Sequence, residues 1–149
     1  MILKCVLMSF LLLSSFVNVR ARCLIPEPPK VAFLDANSVF VGKVIEIISL
    51  AVPDPELPPG VFNLVQPIKV RLKIERVYRG VKDDEIEVET KTGGAEWGAD
   101  FKLDETYVIY AHKQNNKKKS LIVYGCGRTR LITQAEEDLE FLNELAKSK

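Results

Sequence analysis

The sequence predicts a mainly β domain: five strands rolled into a small closed barrel, with a short helix near the start and a longer helix at the C-terminal end. Three observations carry this expectation. First, Ile68, Val70, Leu72 and Ile74 alternate with Lys69, Arg71, Lys73 and Glu75, the period-two pattern of a strand with one buried and one solvated face. Second, the β-rich runs Tyr107-Val-Ile-Tyr-Ala111 and Leu121-Ile-Val-Tyr124 flank a polar tip, Lys113 to Lys119, which reads as a hairpin. Third, beyond Leu131 the apolar spacing changes to that of an amphipathic helix. Closing five strands on themselves removes the exposed edges that an open sheet would present.

In chain order, Met1 to Ala21 reads as a secretory signal peptide. Lys4 precedes the apolar run Cys5 to Leu13, and Val19 and Ala21 stand three and one residues before a cut after Ala21, with a cut after Arg22 as the alternative. That run is too short to span a bilayer. The domain is therefore expected to cover residues 22–149. Pro26, Pro28 and Pro29 make the first mature residues extended, and Val31 to Ala36 permits a short helix. Val39 to Ile48 is the first strand, with Gly42 marking a bulge or bend. Ala51 to Pro67, with Pro53, Pro55, Pro58 and Pro59, is a long exposed connection and a candidate contact surface, residues 53–60 above all. Ile68 to Tyr78 is the second strand, with Arg76 assigned to its inner face, and a turn follows at Arg79-Gly80. Glu85 to Thr90 is the third strand, and Thr92 to Gly98 is a glycine-rich loop bearing the single tryptophan, Trp97. The last helix is expected to start at a capping box of Thr133 with Glu136 and to bury Ala135, Leu139, Leu142 and Ala146.

Removing residues 1–21 takes Lys4 and Arg20 from the 21 basic residues, leaving 19 against 20 acidic ones. A near-neutral chain gives no electrostatic reason to bind nucleic acid. Lys117-Lys118-Lys119 is read as a solubilising tip. Of the three cysteines, Cys5 lies in the signal, so Cys23 and Cys126 enter an oxidising compartment with one pairing open to them. In the chain-entropy model a loop of about 100 residues closed in this way contributes on the order of 4.7 kcal/mol. His112 is the single histidine, and with two paired cysteines it does not make a zinc ligand set. No nucleophile elbow, phosphate-cradling loop or nucleotide fingerprint occurs. No catalytic residue, metal site or cofactor is expected.

The order Cys23, Ala32-Phe33, Val39-Phe-Val-Gly-Lys-Val44, Val77-Tyr-Arg-Gly80, Trp97-Gly98, Phe101, Tyr107-Val-Ile-Tyr-Ala111, Cys126 and Arg128-Thr129 resembles the netrin-like domain. Within it, the sequence is most similar to the N-terminal domain of the tissue inhibitors of metalloproteinases (TIMPs) and their single-domain relatives, as a divergent member. The resemblance covers nearly all of residues 22–149 and implies an OB-type five-stranded barrel. The family begins Cys-x-Cys, where this chain has Ala21-Arg22-Cys23, and the family's partner cysteine stands here as Trp97. Both halves of one family disulfide are thus missing together, while Cys23 and Cys126 retain the other. In the inhibitors the terminal amine and carbonyl of the first cysteine chelate the protease zinc, so Ala21 puts chelation in question here.

The resemblance implies a secreted, non-enzymatic metalloendopeptidase inhibitor or protease-binding protein. Its partner-binding ridge would comprise Arg22, Cys23, Leu24 and Ile25 with Ala95, Glu96 and Trp97. The partner would be an extracellular zinc metalloprotease or another secreted protein, met by a monomer outside the cell or in a bacterial periplasm. The second expectation is an extracellular netrin-like module that binds a protein or glycan without inhibiting a protease. Oligonucleotide binding on the barrel is the third, and the neutral charge speaks against it. Neither nucleic acid nor insertion in a membrane is expected.

Overall fold

A computed structural model describes residues 26–50, 58, 65–93, 97–114 and 120–148. Helix α1 (Pro29–Asp35) leads into β1 (Ser38–Ser49), β2 (Pro67–Arg79), β3 (Glu85–Lys91), β4 (Thr106–Lys113), β5 (Leu121–Ile122) and β6 (Arg130–Leu131). A 3₁₀ turn, Ile132–Gln134, then hands over to α2 (Glu136–Lys147). The strands pair in the order β1-β2-β3-β5-β4, and β4 pairs back with β1, closing a five-stranded mixed OB-type barrel. The β3–β5 seam is parallel and the remaining pairings are antiparallel.

The alternation in β2 places Ile68, Val70 and Leu72 inside the barrel with Phe40, Val88 and Ile109. Each such side chain contributes roughly 1.5–3 kcal/mol by leaving water. On the outer wall, Lys69 meets Glu87 at 3.1 Å and Arg71 meets Glu46 at 2.9 Å, so the basic stripe of β2 is matched by carboxylates of β1 and β3. Arg76, expected inside, is instead exposed and reaches Asn143 on α2 at 3.1 Å, because this end of β2 runs past the barrel interior.

Strand β1 is paired on both sides over its first half, with β2 and with β4. Its faces divide accordingly. Phe40 and Val44 fill the barrel, while Val39 and Val41 lie under the helices. The register shifts between Val41 and Gly42, as the glycine suggested. A Cβ on Gly42 would lie 3.3 Å from the Leu72 Cβ, so the strand approaches β2 closely there.

Both helices cover the outer side of β1 and β4 and are joined by an edge-on contact of Phe33 with Phe141 at 5.9 Å. Helix α1 begins two residues before the expected start, since Pro29 at its first turn has a fixed φ suited to that place. In α2 the expected capping box is absent: Thr133 belongs to the 3₁₀ turn, and Ala135 is the N-cap with no side-chain cap. Glu136, Glu137 and Asp138 in the first turn face the helix dipole's positive end instead. Ala146, expected to be buried, is exposed, whereas Asp138 and Leu142 are fully buried. Ala135 is buried and Leu139 packs against the same cluster, so the expected face holds and Asp138 joins it. Leu142→Ala should remove about 2–5 kcal/mol of stability, read as a lowered denaturation midpoint. A midpoint equal to that of the parent protein would mean that α2 does not help to hold the barrel. None of the described helices is long and apolar enough to cross a membrane.

Candidate functional site

Strands β5 and β6 are two halves of one interrupted strand along the same edge of β4. His112 pairs with Ile122 and Val108 with Arg130. Four steps along β4 are therefore matched by eight along the other chain, and the surplus residues loop outward. Thr129 bridges the gap, its Oγ1 accepting from Tyr110 N at 2.9 Å. The hairpin's second strand was expected to reach Tyr124. In the structure Val123 still donates to Glu89 O at 2.9 Å, and Tyr124 turns into solvent at 53 % exposure. At the crest, Cys126 adopts φ 47° between two glycines, a conformation that costs a non-glycine residue roughly 1–2 kcal/mol. Cys126 is disulfide-bonded, to a partner outside the described residues.

The excursion is anchored by a buried charge network. Arg128 donates from Nε to Asp138 Oδ1 at 2.7 Å and from one terminal nitrogen to Asp138 Oδ2 at 3.0 Å. The same nitrogen reaches Glu137 Oε2 at 2.6 Å, and the other donates to the Glu27 carbonyl at 2.7 Å. Tyr110 completes the cluster, its hydroxyl donating to Asp138 Oδ1 at 2.8 Å. Burial works against the guanidinium charge, but the Asp138 and Glu137 carboxylates outweigh it and hold the Arg128 pKa above its ordinary value. Burial, and then the bond to Asp138, push the Tyr110 phenol up. Arg128 thus ties the N-terminal segment, the excursion and α2 together through one side chain. Arg128 carries part of the family resemblance, but no local spacing pairs it with Asp138, ten residues on.

Two cavities flank the excursion. One, of about 430 Å³, is lined by Pro26, Gly98, Tyr107, Tyr124 and Cys126 among others. The other, of about 510 Å³, lies towards α1 and is lined by Pro26, Glu27, Asp35, His112, Tyr124 and Cys126 among others. Trp97 precedes Gly98, a lining residue of the first, and is 54 % exposed. Its turn is pinned by Gly98, where an added Cβ would overlap Lys91 O and lie 2.6 Å from Lys91 N. Ala99 N donates to Thr90 Oγ1 at 3.1 Å, and Thr90 in turn donates to Val123 O at 2.8 Å. The tryptophan turn and the cysteine excursion therefore share one buried threonine.

Of the ridge expected from sequence, Arg22, Cys23, Leu24, Ile25, Ala95 and Glu96 lie outside the described residues, and Trp97 is the described member. The tip at Lys117 to Lys119 also lies outside them, as do residues 53–60 apart from the exposed Pro58. His112 is partly buried, with Nδ1 3.7 Å from Asp35 Oδ2. Among the described residues no group of three or more His, Cys, Asp or Glu side chains is placed to hold a metal ion. Compared with protein-family models and with curated proteins, the sequence matches none of them.

Proposed function

We propose that this chain is a secreted, non-enzymatic protein similar to the tissue inhibitors of metalloproteinases. In this reading it binds an extracellular metalloendopeptidase through Arg22 to Ile25 together with Ala95, Glu96 and Trp97. The observation that supports it most is the single cavity shared by Pro26, Gly98 and Cys126. The first described residues after the proposed ridge, the end of the tryptophan turn and a disulfide-bonded cysteine converge on one rim. An exposed tryptophan on a turn pinned by Gly98 and Thr90 suits an interface anchor, because its geometry is set before binding. With Ala21 in place of the family's first cysteine, the proposed contact is occupation of the substrate cleft rather than chelation by that cysteine.

The purified secreted protein is expected to slow at least one member of a panel of zinc endopeptidases, with Trp97→Ala weakening that effect about 30-fold, as loss of a hot spot does. No inhibition and no binding to any member would overturn the reading. N-terminal sequencing with intact mass, before and after reduction, should give a chain starting at Arg22 and a Cys23–Cys126 bond. A second reading, an interaction module without protease inhibition, draws on Ile45 and Ile47. These are 36 % and 38 % exposed on the end of β1 that runs into the proline-rich connection. Capture of a partner that survives loss of Arg22 to Leu24 but not of residues 53–60 would favour it.

A further inference from the structure

We propose that the cavity between α1 and the Val123–Thr129 excursion is a recognition pocket for a basic side chain, a lysine or arginine presented by a protein partner. Its volume of about 510 Å³ lies within the range of pockets that enclose small ligand groups. Two carboxylate residues line it, Glu27 and Asp35, and no lysine does among the described residues. Arg128 also lines it, but its nitrogens are committed to Asp138, Glu137 and the Glu27 carbonyl. Those bonds use four of its five N–H groups, and the carboxylates of Asp138 and Glu137 balance its charge. Glu27 engages Arg128 through its backbone carbonyl, and its carboxylate has no partner among the described residues. The Asp35 side chain is 75 % exposed, and its partner is His112 at 3.7 Å, an ion pair only when the imidazole is protonated. Tyr124 supplies an exposed ring, tilted against His112 at 5.3 Å. A cation over a tyrosine face binds about two- to five-fold more tightly at such exposed places.

Negatively charged hydrogen-bond acceptors, an aromatic wall and a guanidinium already paired with two carboxylates select a cation with an apolar stem. Lysine and arginine side chains have that shape. The pocket does not involve Trp97 and does not depend on the protease reading.

The test is titration of the isotopically labelled, purified protein with N-acetyl-arginine amide, followed by amide chemical shifts. N-acetyl-norleucine amide and N-acetyl-glutamate amide serve as controls. Saturable shifts at Asp35, His112, Tyr124 and Gly125 are expected with the arginine derivative and not with the controls. Asp35→Asn and Glu27→Gln should each weaken binding about two- to five-fold, Tyr124→Ala by about the same factor, and the double carboxylate variant by their product, about four- to 25-fold. Trp97→Ala should leave arginine binding unchanged, which separates this pocket from the ridge. Absence of saturable shifts, equal shifts with either control, or an unaltered double variant whose remaining amide spectrum is native would each overturn the proposal.

Discussion

Asp138→Asn is expected to lower stability by about 3–5 kcal/mol, the cost of leaving one member of a buried ion pair uncompensated. Asp138 is fully buried and accepts from Arg128 at 2.7 and 3.0 Å and from Tyr110 at 2.8 Å. Asparagine keeps the size of the side chain but removes its charge. Arg128, with its side chain 3 % exposed, would then keep a guanidinium in the interior with Glu137 as its remaining carboxylate. Glu137 is 69 % exposed, so water screens that interaction and it replaces little of what is lost. A combined Arg128→Met and Asp138→Leu variant should be much less destabilised than either single change, because no buried charge remains. Denaturant midpoints for the parent, Asp138→Asn, the two single changes and the combined variant check this. A loss below about 1 kcal/mol for Asp138→Asn would show that the pair adds little beyond an exposed one. The same variant should speed amide exchange near Glu27, whose carbonyl is held through Arg128.

Gly80→Ala is expected to cost about 2–5 kcal/mol, summed from two separate penalties. Gly80 has φ +76°, and a left-handed conformation costs a residue bearing a Cβ roughly 1–2 kcal/mol. The added carbon would also overlap Asn37 O and sit 2.8 Å from Ser38 Oγ, an overpacking worth about 1–3 kcal/mol. Asn37 cannot shift freely to relieve the overlap. Its N–H donates to Ala111 O at 3.0 Å, and its Oδ1 accepts from Lys113 N at 2.7 Å, so it sets the start of the β1–β4 seam that closes the barrel. Gly42→Ala is the control: it has no positive φ, and its new Cβ would lie 3.3 Å from a side-chain carbon. Thermal unfolding of both variants should rank Gly80→Ala well below Gly42→Ala. The reverse order would locate the essential glycine in the bulge rather than in the turn.

Much of the barrel was legible before any coordinate. Ile68 to Ile74 announced both a strand and its buried face, because side chains in a strand alternate with a period of two whatever lies opposite. Gly42 announced the bulge. The C-terminal helix was legible as a helix with its inner face, yet its cap and its buried Asp138 were not. Thr133 satisfied a local capping pattern, but the 3₁₀ turn placed Ala135 at the start. Ala135, Leu139 and Leu142 face the core as the apolar stripe required, but Ala146 is exposed, and Asp138 joins the buried face through its bond to Arg128. The pocket residues Glu27, Asp35, His112 and Tyr124 come from four separate places in the chain, and no spacing rule links them.

The sequence alone determined which stretches would be strands and helices, where the first strand would bend, and that the strands suffice for a closed barrel. Those properties follow from local periodicity and backbone preference. Only the tertiary structure decided that β5 and β6 are one interrupted strand, that its surplus residues lift Cys126 outward, and that Arg128 and Asp138 neutralise each other in the interior. A buried charge pair or an excursion depends on which distant segments share the same space. That is settled when the barrel closes.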